Sequence, residues 1–182
     1  MTNDIKLTHI KDLVELKTES FNDSRGLFLS AYKKQQKIFK DSWGSRNISQ
    51  VNISKTNSVG VVRGLHYQFG KYSEAKLVRC IKGKLFDVAV DLRKSSETFG
   101  CFYSTILSAK KENALFIPEG FAHGFQILSP NSELLYIHSN IWEKESEKGI
   151  RFDDPTIAIN WPLVPKGISD RDISFPYLKN SF

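Results

Sequence analysis

The stretch Leu85-Phe86-Asp87-Val88-Ala89-Val90-Asp91-Leu92 decides the fold class. Phe86, Val88, Val90 and Leu92 recur with period two on one face, and Asp87 and Asp91 fall on the other. That is the pattern of a half-buried strand, not of a helix. Working outward, residues 77–81, 102–107, 114–117, 124–128 and 134–138 read the same way. Lys82-Gly83, Phe99-Gly100, Pro118-Glu119-Gly120 and Ser129-Pro130-Asn131 stand between them as turns. Short strands at regular spacing predict an all-β sandwich or barrel. Helical signal is confined to residues 32–40 and a turn near 10–16. The last forty residues, with Asp154-Pro155, Trp161-Pro162, Pro165 and Pro176, carry too much proline for central strands, so they should wrap the body or cover an edge.

A chain of 182 residues with 40% hydrophobic content suits one core, hence one domain over 1–182. The net charge of +6 comes from scattered lysines without a like-charge block, which favours a small anionic ligand, a nucleotide or phosphate, over a nucleic-acid duplex. Cys80 and Cys101 are too few for a disulfide scaffold and lack metal-type spacing. With no leader pattern and no run of the ~18 apolar residues that a membrane span needs, a soluble protein of the reducing cytoplasm is expected.

Two runs carry the chemistry: Arg63-Gly64-Leu65-His66-Tyr67-Gln68 and Ile117-Pro118-Glu119-Gly120-Phe121-Ala122-His123-Gly124-Phe125. If both lie on strands of one sheet, two imidazoles, a guanidinium and aromatic faces line one pocket, which suits proton transfer on a polar, anionic substrate. Arg63 would be expensive to bury without an anion. Read singly, each residue has an ordinary alternative. His66 is a structural strand histidine, Arg63 pairs with an aspartate, Lys76 is a solvated charge, Tyr136 is a core aromatic, and Asp172 sits in a surface turn.

The segment Pro118-Glu119-Gly120-Phe121-Ala122-His123 resembles the second half of the cupin signature. Metal-binding cupins add two histidines one residue apart, and no His-x-His pair exists here. A catalytic metal needs at least three convergent ligands. A metal is therefore not expected, Glu119 with the two histidines being the remaining route to one.

The resemblance becomes specific with Lys76-Leu77-Val78-Arg79-Cys80, Phe86 through Arg93, Thr98-Phe99-Gly100, Leu135-Tyr136 and Ile168-Ser169-Asp170-Arg171-Asp172. Taken in order with the two runs, they resemble the dTDP-4-dehydrorhamnose 3,5-epimerase family from about Phe21 to Asp172. The resemblance implies a cupin-type jelly-roll barrel or sandwich with a few short helices. It also implies no cofactor, a homodimer, and inversion of the two carbons flanking the 4-keto group of a nucleotide-linked 6-deoxy sugar. Such chemistry needs a base on one face of the ring, an acid on the other and a cation at the enolate oxygen.

By that resemblance His66 is the base, oriented by Asp172, and Tyr136 is the acid. Lys76, helped by His123, stabilises the oxygen. Arg63 and Arg25 contact the diphosphate. Phe21, Phe28, Gln50, Asn52 and Arg171 contact nucleotide or sugar, often across the subunit boundary. The chain departs from the family where Trp142 replaces a tyrosine six residues after the acid, an indole that donates but does not accept a hydrogen bond. Asn52-Ile53-Ser54 lacks a histidine common there, and Ser30 stands where a glutamate is usual. The alternatives left open are epimerisation at C3 alone, a GDP- or CDP-linked substrate, a catalytically silent sugar-nucleotide binder, and a metal-dependent dioxygenase or isomerase.

Overall fold

The computed structural model describes residues 4–181. Its elements in chain order are β1 (Asp4–Leu7), β2 (Val14–Lys17), β3 (Ser20–Asp23), β4 (Gly26–Leu29), α1 (Lys37–Ser42), β5 (Gln50–Thr56), β6 (Val62–Gln68) and β7 (Lys76–Lys82). They continue with β8 (Lys84–Asp91), β9 (Phe102–Ser108), β10 (Asn113–Ile117), β11 (Phe121–Ile127), β12 (Ser132–His138), β13 (Glu147–Gly149) and α2 (Asp170–Ser174). One sheet runs β1-β2-β10-β7-β12-β5 and the other β13-β6-β11-β8-β9, and every pairing in them is antiparallel. Two such sheets face to face make the cupin-type jelly-roll sandwich. The β3–β4 hairpin forms a separate two-stranded sheet.

Strand alternation builds three layers of apolar packing. Val78, Cys80, Leu115, Ile117 and Leu134 of the six-stranded sheet meet Leu85, Ala89, Leu107, Phe121, Phe125 and Ile127 of the five-stranded sheet. The intervening residues Val14, Leu16, Leu77, Phe116 and Ile137 point outward and are covered by Ile38, Phe39 and Trp43. On the outer face of the other sheet, Val88, Val90 and Leu92 pack against Ile150, Ile157 and Leu178, with Phe86 and Trp161 at the margin. Each valine, leucine, isoleucine or phenylalanine among them contributes roughly 1.5–3 kcal/mol when fully buried.

That third layer corrects the reading of the decisive strand as half-buried. Val88 to Asp91 are all buried, because the C-terminal segment covers a sheet face and not merely an edge. Asp87, assigned to a solvent face, is 0% exposed and points between the sheets. The turn expected near 10–16 gives way from Val14 onward to β2, whose pairing with β10 buries Val14 and Leu16. Helix α1 is shorter than the expected 32–40 and lies at its C-terminal end, where Ile38 and Phe39 have a core to bury into. No helix among the described residues is long and apolar enough to cross a membrane.

Candidate active site

Toward one end of the sandwich the inward positions change from apolar to polar. On β12 the series runs Leu134, Tyr136, His138, and on β7 it runs Cys80, Val78, Lys76. A cavity of about 290 Å³ opens there. The six-stranded sheet contributes Asn52, Lys76, Tyr136 and His138 to its lining, and the five-stranded sheet contributes Arg63, His66, His123 and Phe125. The two histidine-bearing runs are therefore neighbours in one sheet, with His66 directly opposite His123 in the β6–β11 register.

Two glycines permit that pairing. Gly64 has φ +124°, and a Cβ there would come within 2.6 Å of Gly124 Cα and 2.8 Å of the His123 carbonyl oxygen. A Cβ on Gly124 would lie 2.8 Å from the Arg63 carbonyl oxygen. Only hydrogens fit where these backbones touch.

His66 Nε2 lies 2.8 Å from Asp172 Oδ1, and the Gly64 backbone N–H donates to Asp172 Oδ2 at 3.1 Å. Asp172 is 3% exposed, on the short helix α2, whose N-cap Ser169 accepts from the Asp172 N–H. Burial works to raise this carboxyl, but the hydrogen bond and charge of His66 and the Gly64 N–H outweigh it and hold it below the usual carboxylate range. Asp172 thus accepts a hydrogen bond from Nε2–H and leaves Nδ1 of His66 as the basic nitrogen. Phe175 packs edge-on against the imidazole at 5.6 Å.

On the opposite sheet Tyr136 has its phenol pushed well up by burial and by the nearby Asp87, with Arg63 pulling the other way. It stays protonated at neutral pH. The His123 ring meets it edge-on at 5.8 Å, and His123 Nε2 is held by Asp87 at 2.9 and 3.1 Å. Burial pushes the Asp87 carboxyl up against the pull of His123 and Lys76. Lys76 sits 3.3 Å from Glu74 Oε1, and His138 Nδ1 lies 2.7 Å from Glu74 Oε2. Burial opposes ionisation of Glu74, but His138 and Lys76 together hold its carboxyl below the usual range.

The structure gathers His66, Asp172, His123, Tyr136, Lys76, Arg63, Asn52, Trp142 and Arg171 at or against the cavity. Arg63 is exposed and makes no ion pair among the described residues, so its aspartate alternative is not seen. Gln50 stands just behind, between Asn52 and the Trp142 N–H. Phe21, Arg25 and Phe28 are not brought in. They lie on the β3–β4 hairpin around a groove of their own, with Arg25 paired to Asp23. Glu119 points into a different cleft, clasped by Arg46 at 2.8 and 2.7 Å, and does not join the two histidines.

Sequence reasoning missed Asp87, Glu74 and His138. A carboxylate inside an apolar strand was the signal for the first. His138 stands two residues after Tyr136 and so shares its face, and Glu74 stands two before Lys76.

A sequence profile of the dTDP-4-dehydrorhamnose 3,5-epimerase family matches residues 7–180. The chain belongs to this family. Over 168 residues it is 45% identical to the dTDP-4-dehydrorhamnose 3,5-epimerase of Shigella flexneri, covering 92% of this chain and 91% of the relative. It is 42% identical to the Salmonella typhimurium enzyme, over 94% and 93% of the two chains. Among solved structures, the Legionella pneumophila dTDP-6-deoxy-D-glucose-3,5-epimerase in complex with dTDP-4-keto-L-rhamnose superposes with a TM-score of 0.92 at 36% identity. That superposition covers 100% of this chain and 95% of the other.

Proposed function

We propose that this chain is a 3,5-epimerase that converts dTDP-4-dehydro-6-deoxy-D-glucose to dTDP-4-dehydro-L-rhamnose by proton transfer through an enolate. The observation that carries the reading is the placement of the His66–Asp172 pair on one wall of the cavity and of Tyr136 with Lys76 on the other. A sugar ring held between the sheets meets a base on one face and an acid on the other.

His66 Nδ1 takes the proton from the carbon next to the 4-keto group, and the C–H electron pair moves into the enolate. Asp172 stabilises the imidazolium. The Lys76 ammonium neutralises the enolate oxygen, with His123 held beside it by Asp87. Tyr136 then donates its proton to the opposite face, inverting the carbon, and both residues exchange back to their resting states with solvent. The same cycle acts at the second carbon. Arg63, at the cavity edge and without an ion pair among the described residues, fits the diphosphate as a bidentate donor.

The working unit is a homodimer in which the β3–β4 hairpin of one copy, with Phe21, Arg25 and Phe28, closes the cavity of the other. Support comes from Phe21, Leu27 and Phe28, which are 49%, 48% and 72% exposed, and from the open edge strand β5 with Val51 and Ile53 outward. The test is incubation with dTDP-4-keto-6-deoxy-D-glucose in heavy water, with mass spectrometry and proton NMR of the recovered sugar. Deuterium at both C3 and C5 is the expected result. Deuterium at C3 alone assigns a restricted epimerase, with Trp142 the first residue to replace, and none at all refutes the reading for this substrate.

A further inference from the structure

A one-directional chain of hydrogen bonds runs from the loop after β12 to Lys76. The Trp142 backbone N–H, which can only donate, binds Gln50 Oε1 at 2.9 Å. That fixes the Gln50 amide, whose Nε2 donates to Asn52 Oδ1 at 3.2 Å. Asn52 is thereby turned with Nδ2 toward His138 Nε2, 3.3 Å away. An amide nitrogen donates, so His138 Nε2 must accept and the imidazole proton sits on Nδ1. Nδ1–H donates to Glu74 Oε2 at 2.7 Å, and Glu74 Oε1 faces the Lys76 ammonium at 3.3 Å.

Every donor and acceptor in this series follows from the first. The groups facing the His138 ring are Asn52, Glu74, the stacked Tyr136 ring at 5.6 Å and, across the strand register, Lys76.

We propose that His138, in its Nδ1–H tautomer, is a positioning residue that aims the Glu74 carboxylate at Lys76 and so fixes where the ammonium meets the substrate's keto oxygen. The role rests on the epimerase reading above. Lysine is a flexible point charge, and in a cavity open to solvent its reach needs an anchor. Glu74 alone could rotate to satisfy Lys76 with either oxygen. The imidazole removes that freedom by occupying one of them. The chain also links the Lys76 position to the backbone at Trp142, one of the positions at which the family resemblance gave a different residue.

The test pairs kinetics with spectroscopy. His138→Phe keeps the stack on Tyr136 and removes both hydrogen bonds, whereas His138→Asn places an amide donor where Nδ1–H was. Misplacing a reacting group by about 1 Å costs up to ~100-fold in rate, so kcat for deuterium incorporation should fall about ten- to a hundredfold in His138→Phe. KM should stay within about threefold, because ground-state binding is not the property removed. His138→Asn should recover most of the loss. In wild-type protein labelled with 15N-histidine, long-range proton–nitrogen correlation should show His138 Nε2 as the bare nitrogen and Nδ1 as the protonated one.

The proposal is overturned if Nδ1 is the bare nitrogen, if His138→Phe matches wild type, if KM carries the whole effect, or if His138→Asn is no better than His138→Phe. A wild-type protein that incorporates no deuterium refutes the epimerase reading and this role with it. An active wild type with an indifferent His138→Phe refutes this role alone. Should a thermal melt show that His138→Phe does not fold, the tautomer measurement and His138→Asn decide.

Discussion

Replacing Asp172 by asparagine tests the proposed base through its partner. The change is nearly isosteric in a site that is 3% exposed, and the Gly64 N–H, 3.1 Å from Oδ2, can only donate. It will therefore bind the amide oxygen of the new side chain and turn the amide NH2 toward His66 Nε2. That nitrogen must then accept, the imidazole proton moves to Nδ1, and the nitrogen facing the substrate can no longer take a proton. The lost charge adds to the wrong tautomer. Opposite unit charges 2.8 Å apart interact by about 3–6 kcal/mol at an effective dielectric constant of about 20–40. Restoring the right tautomer would leave a buried donor without a partner, at about 1–3 kcal/mol.

The two together come to about 4–9 kcal/mol, so with ~1.36 kcal/mol per tenfold in rate, deuterium uptake at C3 and C5 should fall by about 10³-fold at least and by up to ~10⁶-fold. KM should change little. Because the Gly64 N–H keeps its acceptor, the melting temperature should move by no more than a few degrees. Uptake above about a tenth of the wild-type rate, in a folded variant, would refute the assignment of His66 as a base held by Asp172.

Three further outcomes are expected. Tyr136→Phe should still exchange the C3 proton, since His66 remains, while inversion falls; proton NMR of the product distinguishes the two, and unimpaired inversion would remove Tyr136 as the acid. Gly64→Ala, with φ +124° and a Cβ 2.6 Å from Gly124 Cα, should destabilise by about 4 kcal/mol and lower the melting temperature by about 10 °C; an unchanged melt would show that the strand crossing relaxes. The Asp91 carboxyl is held at about 2, where burial is opposed by hydrogen bonds from Arg93, Ser96 and Thr98. Its stabilising contribution is therefore present above its ordinary value of 3.8 and lost as the pH falls through about 2. Asp91→Asn should unfold at lower urea at neutral pH and approach wild type in acid, and a constant difference down to that pH would contradict the assignment.

From Lys76 to His138 the strands were legible because each carries its own period-two pattern, and the observed strands there lie within three residues of the expected bounds at either end, whereas β5 and the three-residue β13 were not read. The N-terminal strands β1 to β4 were not read, since four residues hold too little pattern and their pairing is decided by distant partners such as β10. Asp87 was placed on the wrong side for a related reason. Alternation tells which residues share a face but not which face meets water, and only the C-terminal segment lying over Val88 and Val90 decides it. Asp172 reaches His66 across 106 residues, a contact that family resemblance suggested and local sequence did not. Its helix did leave a trace, a serine three residues before an aspartate. The Gln50–Asn52–His138–Glu74 series was invisible because its members come from three separate segments, and only a register such as His138 opposite Gln50 and Lys76 aligns them.

His66 and Tyr136 belong to different sheets, so nothing covalent and local sets the gap between them. That gap is set by the thickness of the oily filling, about 10 Å in a β-sandwich, through side chains such as Leu115, Ile127 and Leu134 that do not line the cavity. The hydrophobic interior therefore acts as a caliper. Trimming one of those side chains would let the jaws close or tilt, and a residue chosen for packing would register first as a change in stereochemical outcome.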